Sequence, residues 1–271
     1  MRVEQLGDGP PEVAVVGGIH GDEPCGVHAV ETILDEEPDV DRPVAFVIAN
    51  EAARANGVRY VEEDLNRSFP GEQGSDVHER ALAAELDSLI ADCDTLALHS
   101  TQSYRGAFAL VSGVGSYERT VCPALSVDSV VETSGFTNGR IFASAPRTVE
   151  VECGYQGSET AAENAVQLTR EFLAATGVLP SASETDIEAS LPVFDLGERI
   201  PKPSGESYEV YVENFERVPA GEAFAAVDGE KLTADETFYP VLLSAYGYEN
   251  QFGYAATHAE SLDVSAAEQS I

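Results

Sequence analysis

Lysine is nearly missing from this chain. Lys202 and Lys231 are the only two, and the other basic residues are arginines. Lysine and arginine together number 15 against 48 aspartates and glutamates, a formal net charge of −33. Nucleic-acid binding is excluded as a main activity, because phosphate contacts need clustered positive charge. No segment approaches the roughly 20 consecutive apolar residues of a membrane helix. The opening residues, MRVEQLGDGPPEV, hold no hydrophobic signal region, so the expectation is a cytoplasmic protein. The four cysteines, Cys25, Cys93, Cys122 and Cys153, include no C-x-x-C pair. That spacing suits neither a structural zinc site nor a disulfide framework, and points to reduced thiols. Internal repeats and low-complexity tracts are absent too.

Apolar residues make up 43 % of the 271, enough for a sizeable core, and the regular strand patterns argue against disorder. The length fits one large α/β domain, alone or with a small appendage. The acidic excess has two readings: a surface that docks a partner, or adaptation to a cytoplasm of high salt. We favour the second. At about 1 M salt the Debye length is about 3 Å, so an acidic surface stops repelling itself.

EVAVVGG (Glu12–Gly18) reads as a buried strand entering a glycine turn, with a helix from about Glu23 to Glu36. PVAFVIAN (Pro43–Asn50), TLALH (Thr95–His99), AFALV (Ala107–Val111) and RTVEVECG (Arg147–Gly154) read as further strands. The continuous apolar runs suit a sheet covered on both faces. Helical spacing marks Val77–Cys93 and Ser158–Gly177. The texture then changes. LPSASETD is a linker candidate, followed by short strand patterns such as YEVYVENF between Gly and Pro turns. The division expected is an α/β domain over 1–180 and a smaller β-rich domain over 181–271.

Three motifs carry chemistry. GGIHGDEPCG (Gly17–Gly26) follows a strand directly, at the sheet edge where α/β proteins build sites. His20 and Glu23 lie three apart on its turn, and imidazole and carboxylate both suit Zn²⁺. A catalytic zinc needs a third protein donor and an open position, and His99 at another strand end completes a His₂Glu set. The polar loop VRYVEEDLNRSFPG (Val58–Gly71) concentrates Arg59, Asn66 and Arg67. Surface arginines pairing with carboxylates would look the same, but the planar guanidinium fork also suits a substrate carboxylate. In VEVECG (Val149–Gly154), Glu150 and Glu152 share one strand face. A carboxylate there, beside an activated water, can take its proton and return it to a leaving amine.

GGIHGDEPCG, DLNRSFPG, LHST and VEVECG stand in the order found in the succinylglutamate desuccinylase/aspartoacylase family of zinc-carboxypeptidase-like hydrolases. The chain resembles that family well over about 12–180, and weakly at YPVLLSAYGYE (Tyr239–Glu249). The resemblance implies a three-layer α/β/α fold with a mixed central sheet and a small C-terminal β-rich domain capping the pocket. It implies one Zn²⁺ per chain, held by His20, Glu23 and His99. Glu152 is then the general base and acid, and Arg59 helps polarise the scissile carbonyl. Asn66 and Arg67 hold a substrate carboxylate, with Tyr248, rather than Tyr246, reaching in from the C-terminal part.

The substrate implied is a small anionic N-acyl amino acid of the N-succinylglutamate or N-acetylaspartate type. A carboxypeptidase acting on peptides, a deacylase for neutral or basic acyl amino acids, and a non-catalytic binding protein on the same fold remain alternatives. The oligomeric state, monomer or homo-oligomer, stays open. Two departures stand out. Ala97 replaces an aspartate the family often places two residues before its last metal-ligand histidine. Phe142 replaces an arginine, with Arg140 and Arg147 on either side as substitutes.

The high-salt reading is tested by circular dichroism across a salt titration. The protein should lose its fold in dilute buffer and regain it towards about 1 M salt. A chain that stays folded and active in dilute buffer overturns the reading.

Overall fold

The computed structural model describes residues 1–180 and 190–263. In chain order the strands and helices are β1 (Arg2–Leu6), β2 (Val13–Gly17), α1 (Pro24–Glu36), β3 (Val44–Ile48), α2 (Glu51–Asn56), α3 (His78–Ile90), β4 (Asp94–Thr101), β5 (Phe108–Val111), α4 (Ser116–Val121), β6 (Val130–Glu132), β7 (Thr148–Tyr155) and α5 (Glu159–Ala175). After residue 190 come β8 (Ser190–Pro201), β9 (Tyr208–Val210), β10 (Ala223–Val227), β11 (Glu230–Thr233), β12 (Tyr239–Val241) and β13 (Gln251–Asp263). The strands and long helices read from periodicity are present, each within a few residues. β1, α2, α4, β6 and the length of β8 and β13 were not legible. The linker expected over LPSASETD lies largely outside the described residues.

One ten-stranded mixed sheet, in the order β1-β3-β2-β4-β7-β5-β6-β8-β13-β12, forms the spine. β3, β2, β4 and β7 are parallel neighbours, and β5 joins β7 antiparallel. The alternation of each strand sends one residue set to each face. Val13, Val15, Leu96, Leu98, Val149 and Val151 pack under α1 and α5. Ala14, Val16, Ala45, Val47 and Ala97 face Leu82, Leu86 and Ile90 of α3. Helices on both faces give the three layers expected.

On the α3 face a second apolar cluster lies further along the sheet. Phe108, Leu110, Val131, Phe194 and Ala256 gather there with Phe215, whose ring centroid is 5.1 Å from that of Phe108. Between the two clusters the same face carries Glu150 and Glu152. Residues 190–263 divide their strands. β8, β13 and β12 extend the main sheet, while β9, β10 and β11 make a small sheet with its own core of Phe224, Phe238 and Phe252. Buried Asn214 ties this region to the N-terminal part of the chain: its amide donates to Ser103 O at 2.8 Å, and its Oδ1 accepts from Leu243 N at 2.7 Å.

The start of α1 rests on two glycines. A Cβ on Gly17 would stand 2.4 Å from the Gly26 carbonyl carbon, so helix and strand backbones touch here and nothing larger fits. This contact sets α1 directly above the end of β2. Gly17→Ala should lower stability by about 2–4 kcal/mol, read as a shifted denaturant midpoint at unchanged slope. A loss under about 0.5 kcal/mol would show that the contact relaxes freely.

Candidate active site

β2 ends at Gly17, and Gly18 (φ +67°) turns the chain so that His20 and Glu23 fold back over the strand ends. Glu23 occupies the N-cap position of α1, yet its side chain makes no capping hydrogen bond. Its carboxylate faces the site instead. Oε2 lies 2.9 Å from His99 Nδ1 and accepts from Ser100 N at 3.2 Å; Oε1 accepts from Arg59 Nη1 at 2.9 Å. The polar loop is held by α3: the buried Glu79 carboxylate accepts from the backbone N–H of Val61, Glu62 and Glu63. Asp64 then caps the turn Leu65–Arg67, accepting from Asn66 N at 2.9 Å, with the same Oδ1 3.1 Å from His20 Nε2.

The parallel register of β4 and β7 pairs His99 with Glu152 and Ala97 with Glu150. His20, Glu23, His99 and Glu152 therefore converge on one cavity of about 330 Å³, at the C-terminal ends of β2, β4 and β7. Arg59, Asn66, Arg67 and Tyr248 line it as well. Tyr246 does not: it is exposed and packs edge-on against Tyr208. Every residue singled out from the sequence for the site thus borders one space.

The donor set fits a cation. His20, Glu23 and His99 are buried and offer ligand atoms all within 4.8 Å of one another. His20 Nδ1 lies 2.8 Å from Glu23 Oε1 but out of line for a hydrogen bond. His20 Nδ1, His99 Nε2 and Glu152 Oε2 are buried with no hydrogen-bond partner. Such atoms cost free energy unless something binds them. The field points the same way. Burial disfavours a charge on His20, but Glu23 and Asp64 outweigh it and raise its pKa to about 9. Burial alone would raise Glu23; the two histidines hold it well below the ordinary range instead. A site that keeps a proton on a buried imidazole is one where positive charge is welcome.

Glu152 goes the other way. Burial, then the neighbouring Glu23 charge, push it up to about 7. Glu150, on the same face, is neutralised. Arg140 Nη2 donates to its Oε2, and Asn66 Nδ2 donates to Oε1 at 2.8 Å. Asn66 Oδ1 accepts from Ile141 N at 3.0 Å, so most of its amide is committed to the wall. Of the two arginines flanking Phe142, Arg140 borders the cavity, whereas Arg147 pairs on the surface with Asp94 at 3.0 Å.

Residues 10–111 match the catalytic-domain model of the succinylglutamate desuccinylase/aspartoacylase family. The resemblance read from the motifs holds. An N-acyl-aromatic-L-amino acid amidohydrolase (carboxylate-forming) of Rattus norvegicus is 37 % identical over 118 residues, 38 % of this chain and 37 % of that relative. The match therefore spans well under half of the curated relative's length. Among solved structures, the product-bound ectoine utilization protein EutE (DoeB) from Ruegeria pomeroyi superposes with a TM-score of 0.78 at 19 % identity, over 94 % of this chain and 87 % of that one. A succinylglutamate desuccinylase/aspartoacylase from Rhodobacter sphaeroides gives 0.75 at 19 %, over 96 % and 88 %. The fold is thus the one these two solved structures share.

Sequence reading missed Asp64, Arg199 and Tyr254, and the pairing of Glu150 with Arg140. Asp64 stands inside DLNR, so its place beside Asn66 could have flagged it. Glu150 was placed on the right face, but its partner Arg140 comes from a turn with no regular pattern. Arg199 and Tyr254 reach the cavity from β8 and β13, where no short motif marks them. Among the described residues no helix is long and apolar enough to cross a membrane, and all four cysteines are free and buried.

An unfolded glutamate titrates near about 4.3. Glu152 at about 7 binds its proton more tightly when folded, so its stabilising effect is full below about 4.3 and disappears as pH rises through about 7. In chelator-treated protein, Glu152→Gln should therefore exceed the unmutated chain in stability at pH 8, by on the order of 1–3 kcal/mol. The two should converge near pH 4. Equal stability at both values would mean that Glu152 is not held in its acid form.

Proposed function

We propose that the protein is a zinc-dependent amidohydrolase of small N-acyl amino acids, releasing a carboxylate and a free amino acid. The observation that carries this reading is the cross-strand pairing of His99 with Glu152. It places a carboxylate of raised pKa beside three buried ligand groups, two of which carry an unpartnered nitrogen. His20, Glu23 and His99 would hold one zinc ion per chain. When bound, zinc supplies Lewis acidity to the acyl carbonyl and to the attacking water.

Glu152 takes the proton of the attacking water. Its raised pKa brings it near neutrality, where a base can also act as an acid. The same carboxyl then delivers the proton to the departing amine nitrogen. Arg59, anchored on Glu23 and Asp64, presents its remaining N–H groups where negative charge develops on the carbonyl oxygen. Arg67, with the last free N–H of Asn66, orients a substrate carboxylate, and Tyr248 closes the far side. Asp64, bonded to His20 Nε2, fixes that ring with Nδ1 turned inward.

The cavity volume suits a small molecule, and Leu196, Arg199 and Tyr254 of β8 and β13 border it. Cytoplasmic location accords with the free thiols.

The decisive measurement is metal content together with hydrolysis of N-succinylglutamate, N-acetylaspartate, N-acetyl-diaminobutyrate and a C-terminal peptide, in high salt. About one zinc per chain and cleavage of an acyl amino acid are expected. Glu152→Gln should keep the metal and lose on the order of 10²–10⁴-fold in kcat. Cleavage of the peptide alone would overturn the small-substrate reading. Zinc-loaded Glu152→Gln that keeps most of its rate would remove Glu152 from the chemistry.

A further inference from the structure

β8 and β13 pair antiparallel, with Tyr254 opposite Arg199 and Ala256 opposite Leu196. Two steps on β13 therefore match three on β8. Gly197 and Glu198 together face Ala255, a β-bulge, and a Cβ on Gly197 would stand 2.6 Å from the Ala255 carbonyl oxygen. In a regular strand, residues three apart point to opposite faces. The extra residue changes that, and both Leu196 and Arg199 border the cavity.

Most arginines of this acidic chain are held by carboxylates. Two of the cavity's four, Arg59 and Arg140, are among them. Arg199 has no carboxylate partner among the described residues, although Asp195 and Glu198 are its neighbours on the same strand. Nothing about its strand requires an arginine to turn inward, and a cation left unpaired here attracts an anion from solution.

We infer that Arg199, turned into the cavity by the bulge at Gly197 and Glu198, is a specificity-determining residue that reads an anionic group on the substrate, remote from the scissile amide. The inference rests on the hydrolase reading for the position of that amide. β7 and β8 are three interstrand steps apart, about 14 Å at the usual spacing. An extended arginine spans roughly half of that, so the anion it meets lies several bonds from the carbonyl beside Glu152. The floor between them is apolar, with Leu110 and Leu196, so the linking part of the substrate is hydrocarbon. Arg59 and Arg140 are already paired with Glu23 and Glu150, so Arg199 keeps its charge available for a substrate anion.

The anion sits either on the acyl group or on the amino-acid side chain, and binding measurements separate the two. Calorimetry on Glu152→Gln, which prevents turnover, would compare N-succinylglycine with N-butyrylglycine, and N-acetylglutamate with N-acetylnorvaline, in the salt that keeps the protein folded. In one pair the member with the additional carboxylate should bind on the order of tenfold more tightly than its methyl-ended analogue, about 1.4 kcal/mol. Adding Arg199→Gln should erase that preference while leaving the methyl-ended member within about twofold, and Arg199→Lys should restore part of it. No preference in either pair, or a preference that survives Arg199→Gln, overturns the inference. Arg199 is exposed, so its variants should fold, which circular dichroism checks. Hydrolysis of the four compounds by the unmutated enzyme is scored separately. If none is cleaved while the Arg199-dependent preference holds, the hydrolase reading fails and what stands is anion recognition by Arg199.

Discussion

The registration of β7 against β4 is the constraint on which the site depends. Parallel pairing sets His99 beside Glu152, and one residue pair earlier sets Ala97 beside Glu150. A slip of one residue would send both glutamates to the opposite face, among the valines and leucines under α1 and α5. The apolar alternation of TLALH and TVEVEC forbids that slip, because it would bury carboxylates in a hydrocarbon layer and expose valine to the site. Core patterning and the placing of the reactive carboxyl are the same feature of the sequence.

The charges in the site are arranged in order of how much compensation each receives. Glu150 has Arg140 and Asn66 and stays ionised. Glu23 has two imidazoles and a guanidinium, and stays ionised too. Glu152 has no such donor on its Oε2 and is pushed up to about 7. Three carboxylates within one cavity thus differ in charge state because their partners differ, which in the proposed reaction would let one kind of side chain serve as ligand, anchor and proton carrier. The small residue at 97 stands beside Glu150 in the register, so the carboxylate in that row is carried by β7 rather than by β4.

Much of this was legible in the chain. Apolar runs located β2, β3, β4 and β7, because strands buried on both faces leave a continuous signal. The glycine-flanked H-x-x-E turn, LHST and VEVECG gave the donor set and Glu152, because each follows directly from a readable strand. The edge strand β1 and the bulged β8 did not show, since half-exposed strands with mixed polarity lack a clear period, and the buried β6 is only three residues long. Arg199 illustrates the limit. Its inward direction depends on a one-residue mismatch between β8 and β13, and nothing in LGER itself encodes that mismatch. Asn66 illustrates another: the motif indicated that it belongs to the site, but its partners Glu150 and Ile141 come from distant segments.

The main sheet runs unbroken from the catalytic strands to β8 and β13. A hydrogen-bonded sheet of this kind has no hinge between the strands that carry Glu152 and those that carry Arg199 and Tyr254. A molecule bound as proposed would be held at both ends by a single stiff body, at a fixed separation. Entry and exit must then pass through side-chain and loop movements at the rim, such as those of the Ser244–Tyr248 turn, rather than through opening of one half against the other. A ruler of fixed length discriminates by size as well as by charge: a molecule one methylene too long or too short can satisfy one end only.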